Sequence, residues 1–147
     1  MPSSQVEGFL TKEEEQQIIR AILEAEKHSS GEIRVHIEAH CGGEAFDRAR
    51  ELFYALKMDN TRNRNAVLFY VAVEDHCFAI YGDQGIDKVV PGDFWNETKN
   101  ILESNFKKRA FKQGLVEAIL KAGQELKAHF PWNPRDANEL GNEISKG

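Results

Sequence analysis

The sequence predicts an α/β domain, a three-layer α/β/α sandwich with helices on both sides of a short mixed sheet. Residues 32–39 alternate apolar and polar side chains, as in a strand with one buried face. Residues 66–73 (AVLFYVAV) are apolar throughout, as in a central strand that helices cover on both sides. Residues 44–57 follow a helical period, so the three segments predict a βαβ unit with parallel strands and a right-handed crossover.

A capping box predicts the first helix. Thr11 can accept a hydrogen bond from the third residue of the helix, and Glu14 can return one to the backbone of Thr11. An apolar stripe follows at helical spacing. The turn-forming sequence Ser-Ser-Gly at 29–31 predicts that this helix ends near His28.

The second half of the chain predicts a hairpin and two further helices, which makes about four main helices in all. Glu74 and Asp75 form a turn, and residues 76–81 return as a third strand antiparallel to the second. Pro91 and Gly92 introduce the third helix. The fourth is predicted to end at about His129.

Length and composition predict one domain across residues 1–147, with an ordered core at about 9–130 and a polar tail at 131–147. A net charge of −5 argues against nucleic-acid binding, which needs a basic surface. No apolar run is long enough to span a membrane, and the first ten residues do not resemble a signal peptide. We therefore expect a cytoplasmic protein in which the two cysteines are free thiols.

The predicted topology gathers oxygen-bearing side chains at one end of the sheet. The starts of the first two strands and the end of the third should meet there. Carboxylates and amides near glycine turns favour a hard divalent cation such as Ca²⁺. The alternative is that they only form turns and cap helices. The candidate metal ligands are Glu32, Asn65, Asp83, Asp87 and Asp93.

The opposite end carries two His-Cys pairs, His40-Cys41 and His76-Cys77, which permits a zinc hypothesis. Adjacent residues of a strand point to opposite faces, so both members of a pair do not easily converge. The usual C-x₂₋₄-C spacing is also absent. We therefore interpret Cys77 as a small core residue and the histidines as rim residues.

Arg34 lies in the middle of the first strand, on the face opposite Ile33. If a helix covers this face, the guanidinium needs a carboxylate partner, and Asp136 or Glu139 of the tail would suit. On an exposed strand it would need none. Both interpretations stay open.

Several catalytic and binding motifs are absent from the sequence. It contains no phosphate-binding loop, no dinucleotide fingerprint and no recognised phosphatase nucleophile. Asp59, Thr61 and Asn63 have the spacing of an EF-hand loop. Arg64 replaces its required glycine and Tyr70 its final glutamate, so an EF-hand is excluded.

Short motifs in a fixed order resemble the bacterial branch of the TPM domain family. They are Ser30-Gly31-Glu32-Ile33, the N-x-V-L segment at 65–68, Gly82-Asp83-Gln84-Gly85-Ile86, His129-Phe130-Pro131 and Asn138-Glu139-Leu140. The third has Gly82 where the family has alanine. The resemblance covers most of residues 28–140.

The resemblance implies an α/β/α sandwich, divalent-cation binding (calcium above all) and, from plant relatives, acid phosphatase activity. Other members are linked to photosystem repair in the thylakoid lumen or modulate acetylcholine receptors. Many relatives carry a signal peptide or membrane anchor. The positions marked by the matching motifs are Glu32, Asn65 and Asp83.

Residues and resemblance together favour a small calcium-binding domain that acts as a regulatory or interaction module, with an unknown protein partner. One alternative is a metal-assisted acid-phosphatase-like hydrolase of phosphate esters. Another is an interaction scaffold without a cofactor, with Phe130, Pro131 and Trp132 as its partner surface.

Overall fold

The computed structural model describes residues 6, 8–27, 29–131 and 144–147. Helices and strands alternate along the first half of the chain, and helices dominate the second. In chain order the elements are α1 (Lys12–Glu26), β1 (Glu32–Glu38), α2 (Ala45–Ala55), β2 (Ala66–Ala72), β3 (Cys77–Gly82), α3 (Gln84–Asp87), α4 (Asn96–Lys107), α5 (Phe111–His129) and β4 (Ser145–Lys146).

The strands form one mixed sheet in the order β3-β2-β1-β4. β1 and β2 are parallel, with Glu32 opposite Ala66 and Glu38 opposite Ala72. β2 and β3 form an antiparallel hairpin. The predicted βαβ unit and hairpin are therefore confirmed.

Two apolar cores, one on each face of the sheet, confirm the three-layer sandwich. The first core joins one face to α1, α4 and α5 through side chains such as Ile33, Phe69 and Ile119. The second joins the other face to α2, and Phe53 and Tyr70 are fully buried in it. Alternation along the strands assigns neighbouring residues to the two cores.

Local sequence determines where α1 begins. The Thr11 side chain accepts from the Glu14 N–H, and the Glu14 carboxylate accepts from the Thr11 N–H, both at 3.0 Å. This capping box was predicted, and it satisfies two backbone donors at the helix start. The helix ends at Glu26, slightly earlier than expected.

The structure differs from the prediction in the second half of the chain. Residues 84–87 form the short helix α3, and Asp83 caps it. α4 begins at Asn96, after a series of turns, and not directly after Pro91 and Gly92. The tail adds the two-residue strand β4 beside β1, where Ser145 pairs with His36.

The polar face of β1 is buried under α2 and beside β4. His36 and Glu38 are 4% and 6% exposed, and Arg34 is half-buried. The proposed partners of Arg34, Asp136 and Glu139, lie outside the described residues, as does Trp132. Phe130 packs against the first core. In the described part of the chain, no helix combines the length and the apolar character needed to span a bilayer.

Candidate functional site

The register of the sheet brings Glu32, Asn65 and Asp83 to one end, which we call the carboxylate end. Glu32 lies opposite Ala66, and the Asp83 N–H donates to the Ala66 carbonyl at 3.0 Å. Because neighbouring strands are about 4.8 Å apart, the α-carbons of Glu32 and Asp83 are about 10 Å apart. Alternation directs both side chains towards the α2 face. Two carboxylates at this spacing can reach one cation between them.

Asp83 is the most buried carboxylate of this end, with 0% exposure. Its Oδ1 accepts from the Gln84 N–H at 2.7 Å and so caps α3. Its Oδ2 is buried and has no hydrogen-bond partner among the described residues. Burial raises the pKa of Asp83, and the negative charges of Asp59 and Asp87 add to that rise. The hydrogen bond from the Gln84 N–H and the charge of Arg64 lower the pKa, but not enough to cancel the rise.

Asn65 is 1% exposed and is held by a hydroxyl group. Its Nδ2 donates to Ser30 Oγ at 3.0 Å, and the Asn63 Nδ2 donates to the same oxygen at 3.3 Å. Because the Asn65 Nδ2 donates to Ser30, the side-chain oxygen of Asn65 is the atom that could bind a cation. The turn at Ser30 and the loop before β2 are thereby joined.

Glu26 adds a half-buried carboxyl group that sequence reasoning missed. It lies at the end of α1, and its Oε2 accepts from the Ile33 N–H at 2.8 Å. Burial raises the pKa of Glu26 to about 8, and the negative charge of Glu32 contributes to the rise. Glu26 follows Ile22 by four residues and so lies on the apolar side of α1, which is the signal in the sequence that could have revealed it.

The remaining predicted ligands are more peripheral. Asp87 is exposed at the end of α3, close enough for its charge to act on Asp83. Asp93 is exposed in the turn before α4, where its carbonyl accepts from the Asn96 N–H at 3.0 Å. Within the described residues, no hydrogen bond or ion pair joins Asp93 to Asp83. Asp59 was considered only for an excluded EF-hand, yet its charge also reaches Asp83.

At the opposite end of the sheet Cys41, Asp75 and Cys77 converge, and we call this cluster the thiol end. The two Sγ atoms are 3.4 Å apart, and Cys41 Sγ is 3.3 Å from Asp75 Oδ2. One ligand atom from each residue lies within 4.8 Å of the others. Both cysteines are half-buried free thiols, as expected, and Asp75 is exposed.

Backbone pairing beyond the strand ends produces this convergence. Two further hydrogen bonds continue the β1–β2 ladder. The Val73 N–H donates to the Glu38 carbonyl and the Glu74 N–H to the Ala39 carbonyl, both at 2.9 Å. Past the end of β1, the Cys41 N–H donates to Asp75 Oδ2 at 2.9 Å. His76 then adopts a left-handed conformation at φ 54° and completes the turn into β3.

Alternation of side chains applies only within a strand, whereas Cys41 lies in the loop after β1 and Asp75 in the turn before β3, so it does not keep them apart. His40 contributes differently, because its Nδ1 lies 2.9 Å from Asp75 Oδ1 and its Nε2 lies 2.9 Å from Glu74 Oε2. Cys77 borders the second core instead of lying inside it.

Electrostatics differ sharply within the thiol end. Hydrogen bonds from His40 and then from Cys41 lower the pKa of Asp75 to about 2. Burial, followed by the neighbouring Cys41, raises the pKa of Cys77 to about 11. At neutral pH the cluster therefore combines a firmly ionised carboxylate with a protonated Cys77 thiol.

A third polar cluster on the buried face of β1 was not predicted. Arg48 of α2 donates to Glu38 through Nε at 2.7 Å and Nη2 at 2.9 Å, and the Tyr70 hydroxyl donates to the same carboxylate. These hydrogen bonds outweigh the effect of burial, so the pKa of Glu38 is lowered. The cluster is satisfied internally and joins α2 to the sheet.

A cavity lies elsewhere, between β3 and α4. Its volume is about 650 Å³, and Val71, Phe78 and Phe106 contribute to an apolar lining. Lys107 and Arg109 lie at this cavity as well. It reaches Cys77 at the thiol end and does not include the carboxylate end.

The structure defines the class as a small α/β/α domain with carboxylate and amide side chains gathered at one end of a mixed sheet. The sequence profile of the TPM domain matches residues 4–125. The chain therefore belongs to the TPM domain family, as its motifs indicated.

Solved structures give the same result. The chain is similar to the BA42 protein of the psychrophilic bacterium Bizionia argentinensis, with 55% identity over 99% of this chain and 100% of that one and a TM-score of 0.91. It shares the fold of the N-terminal domain of the cg2496 protein from Corynebacterium glutamicum, with 12% identity, 94% and 80% coverage and a TM-score of 0.63. An N-terminal domain from P. gingivalis has 19% identity, 84% and 80% coverage and a TM-score of 0.65. A comparison with functionally curated proteins gives no match.

Proposed function

We propose that the chain is a small domain that binds Ca²⁺ at the carboxylate end and acts as a regulatory or interaction module. One observation carries this proposal. Asp83 Oδ2 is fully buried with no hydrogen-bond partner among the described residues. A buried carboxylate without a partner is costly, and a cation would offset that cost.

The donor set favours a hard cation. Glu32, Asn65 and Asp83 offer oxygen atoms only, and the carboxylates of Asp59 and Asp87 lie near enough to influence Asp83. Ca²⁺ takes six to eight oxygen ligands and tolerates irregular geometry, whereas Mg²⁺ requires a near-ideal octahedron. Carboxylates from loops and a helix start therefore suit Ca²⁺ better.

A regulatory role follows from where the ligands are attached. Glu32 begins β1, Asn65 ends the loop before β2, and Asp83 caps α3. A cation at this end would tie the three segments together. The segment 84–95 leaves from Asp83, so cation binding would be linked to the surface that this segment presents to a partner.

Substitution of Asp83 by Asn tests the proposal. An Asn side-chain oxygen can still accept from the Gln84 N–H, but the buried charge is lost. In EDTA, we expect Asp83→Asn to be at least as stable as wild type in thermal unfolding. With Ca²⁺ at about 100 times its Kd, wild type gains about 2.7 kcal/mol, or roughly 10 °C in Tm, and the variant gains almost nothing.

Asp47→Asn is the matched control, because it removes the same charge from the exposed first turn of α2 and should keep the full Ca²⁺ response. Equal Ca²⁺ responses in wild type and Asp83→Asn would contradict the proposal. Amide NMR shifts during a Ca²⁺ titration locate the binding site, and we expect the largest shift changes near Glu32 and Asp83.

Wild type and Asp83→Asn also distinguish calcium binding from the two alternative functions. A metal-assisted hydrolase predicts phosphate-ester turnover that depends on the cation and falls in Asp83→Asn. A scaffold without a cofactor predicts no Ca²⁺ response in either protein.

A further inference from the structure

We propose that the thiol end is a second, separate metal site, in which Cys41, Asp75 and Cys77 bind Zn²⁺ through two thiolates and one carboxylate. This site would prefer a soft or borderline cation, unlike the all-oxygen carboxylate end. The proposal is independent of calcium binding, because the two ends share no residue.

The two distances from Cys41 Sγ to the other ligand atoms are close to those of a zinc tetrahedron. With Zn–S bonds of about 2.3 Å and Zn–O of about 2.0 Å, tetrahedral geometry places two sulfurs about 3.8 Å apart and a sulfur and an oxygen about 3.5 Å apart. The structure has 3.4 Å between the sulfurs and 3.3 Å between Cys41 Sγ and Asp75 Oδ2. Both distances are within a few tenths of an ångström of the ideal values, and one carboxylate oxygen of Asp75 lies within 4.8 Å of Cys77 Sγ.

The backbone already holds the ligands in place. The Cys41 N–H fixes Asp75 Oδ2, and Gly42 takes a left-handed φ of 68° in the turn that follows Cys41. Cys77 begins β3, where it is hydrogen-bonded into the sheet opposite Ala72. The three side chains therefore lose little conformational entropy on binding, which favours metal affinity.

His40 supplies the support that zinc ligands usually have. Its Nδ1 lies 2.9 Å from Asp75 Oδ1, which leaves Oδ2 directed towards the sulfurs. Carboxylates that bind metals are usually oriented by a hydrogen bond to their second oxygen, and His40 is placed to supply it here. Because Asp75 is exposed and both cysteines are half-buried, the ion can enter from solvent and keep a water molecule as its fourth ligand.

The two sulfur ligands make the site selective for Zn²⁺ over hard cations. Sulfur ligands select Zn²⁺ and related ions over Ca²⁺ and Mg²⁺. Binding replaces each S–H bond by a metal–sulfur bond and releases the two protons to solvent. No oxidant or reductant is required.

Titration of the reduced, metal-free full chain with Co²⁺ tests the site, because Co²⁺ reports on the zinc geometry through its absorption. We expect one equivalent to give tetrahedral d–d bands and a thiolate charge-transfer band, and one equivalent of Zn²⁺ to abolish both. Cys77→Ser and Asp75→Asn should each weaken Zn²⁺ binding, the cysteine change by more than about 100-fold, since even loss of an outer-shell partner costs about 10–100-fold.

Asp83→Asn is the cross-control, because it should lose the Ca²⁺ response and keep the Co²⁺ spectrum. Asp75→Asn should do the reverse, so failure of one proposal leaves the other intact. Asp75 is an exposed turn residue, which keeps the test valid if Cys77→Ser does not fold. Absence of a thiolate charge-transfer band in the reduced wild type, or equal Zn²⁺ affinity in wild type and Asp75→Asn, would overturn the proposal.

Discussion

Two carboxyl groups near the carboxylate end, the buried Asp83 and the half-buried Glu26, differ in their hydrogen bonding. Asp83 retains one buried oxygen without a hydrogen-bond partner among the described residues, whereas Glu26 accepts from the Ile33 N–H. Burial raises the pKa of both groups, and that of Glu26 reaches about 8. Glu26 is therefore largely protonated in the folded protein at neutral pH, although it is ionised in the unfolded chain.

Glu26 should make the stability of the protein fall as pH rises. Between its usual pKa of 4.5 and about 8, the folded state binds more protons than the unfolded state, so stability present at acid pH is lost towards pH 8. Glu26→Gln keeps the acceptor for Ile33 and cannot ionise. We expect it to unfold like wild type near pH 4.5 and to be more stable at pH 9, on the order of 3–5 kcal/mol.

Urea unfolding in EDTA at several pH values measures this difference. Glu24→Gln, on the exposed side of α1, controls for the loss of one negative charge and should show no comparable pH-dependent gain. A constant difference between Glu26→Gln and wild type from pH 5 to 9 would contradict the interpretation.

At the scale of elements, close packing of α1 on α5 organises the first core. A Cβ atom added at Gly123 of α5 would lie 2.6 Å from the Ala25 Cβ and 2.7 Å from the Ala25 Cα. Only glycine allows the two helices to approach this closely. Glu26 follows Ala25 directly, so this contact also sets where α1 ends against β1.

Gly123→Ala should force the helices apart. We expect a loss of about 1–3 kcal/mol, as for other overpacked cores, despite the better helix propensity of alanine. Thermal unfolding would show this as a lower Tm. Gly92→Ala is the control, because its added Cβ meets nothing within 4 Å, and its Tm should match wild type. A Gly123→Ala protein as stable as Gly92→Ala would show that α1 shifts without cost.

Sequence patterns predicted the elements that periodicity can reveal. The βαβ unit, the hairpin and α1 have at least one clear apolar repeat or cap. α3 has four residues and β4 has two, so neither is long enough to show a period. β4 depends on backbone pairing with His36 and Ile37, which no local pattern encodes.

The two candidate sites also differ in how far the sequence predicts them, because only one of them follows from strand pairing. Parallel and antiparallel pairing alone brings Glu32 and Asp83 to one end, and this topology was evident from the sequence. The thiol end depends on turns at Cys41 and Asp75, where strand alternation no longer applies. The half-buried position of Glu26 agrees with its spacing of four residues from Ile22, but its hydrogen bond to the Ile33 N–H depends on how α1 packs against β1.

For the whole molecule, the sheet separates the two proposed metal sites. β1 spans the distance between them, and its seven residues from Glu32 to Glu38 cover about 20 Å. The Debye length at physiological salt is about 8 Å, so direct electrostatic coupling between two ions at this separation is largely screened. The sheet also has no hinge between the ends among the described residues, because β1 pairs continuously with β2.

The two cations should therefore stabilise the protein independently. Sites separated by more than about 10 Å without shared partners are additive to about 0.5 kcal/mol, so Zn²⁺ should change the Kd for Ca²⁺ by no more than about twofold. Calorimetric Ca²⁺ titrations of zinc-loaded and zinc-free protein give this ratio. Repeating them with Cys77→Ser removes the zinc site and exposes any competition of Zn²⁺ at the carboxylate end. A change of tenfold or more in wild type that disappears in Cys77→Ser would mean that the continuous β1–β2 pairing transmits a structural change from one end of the sheet to the other.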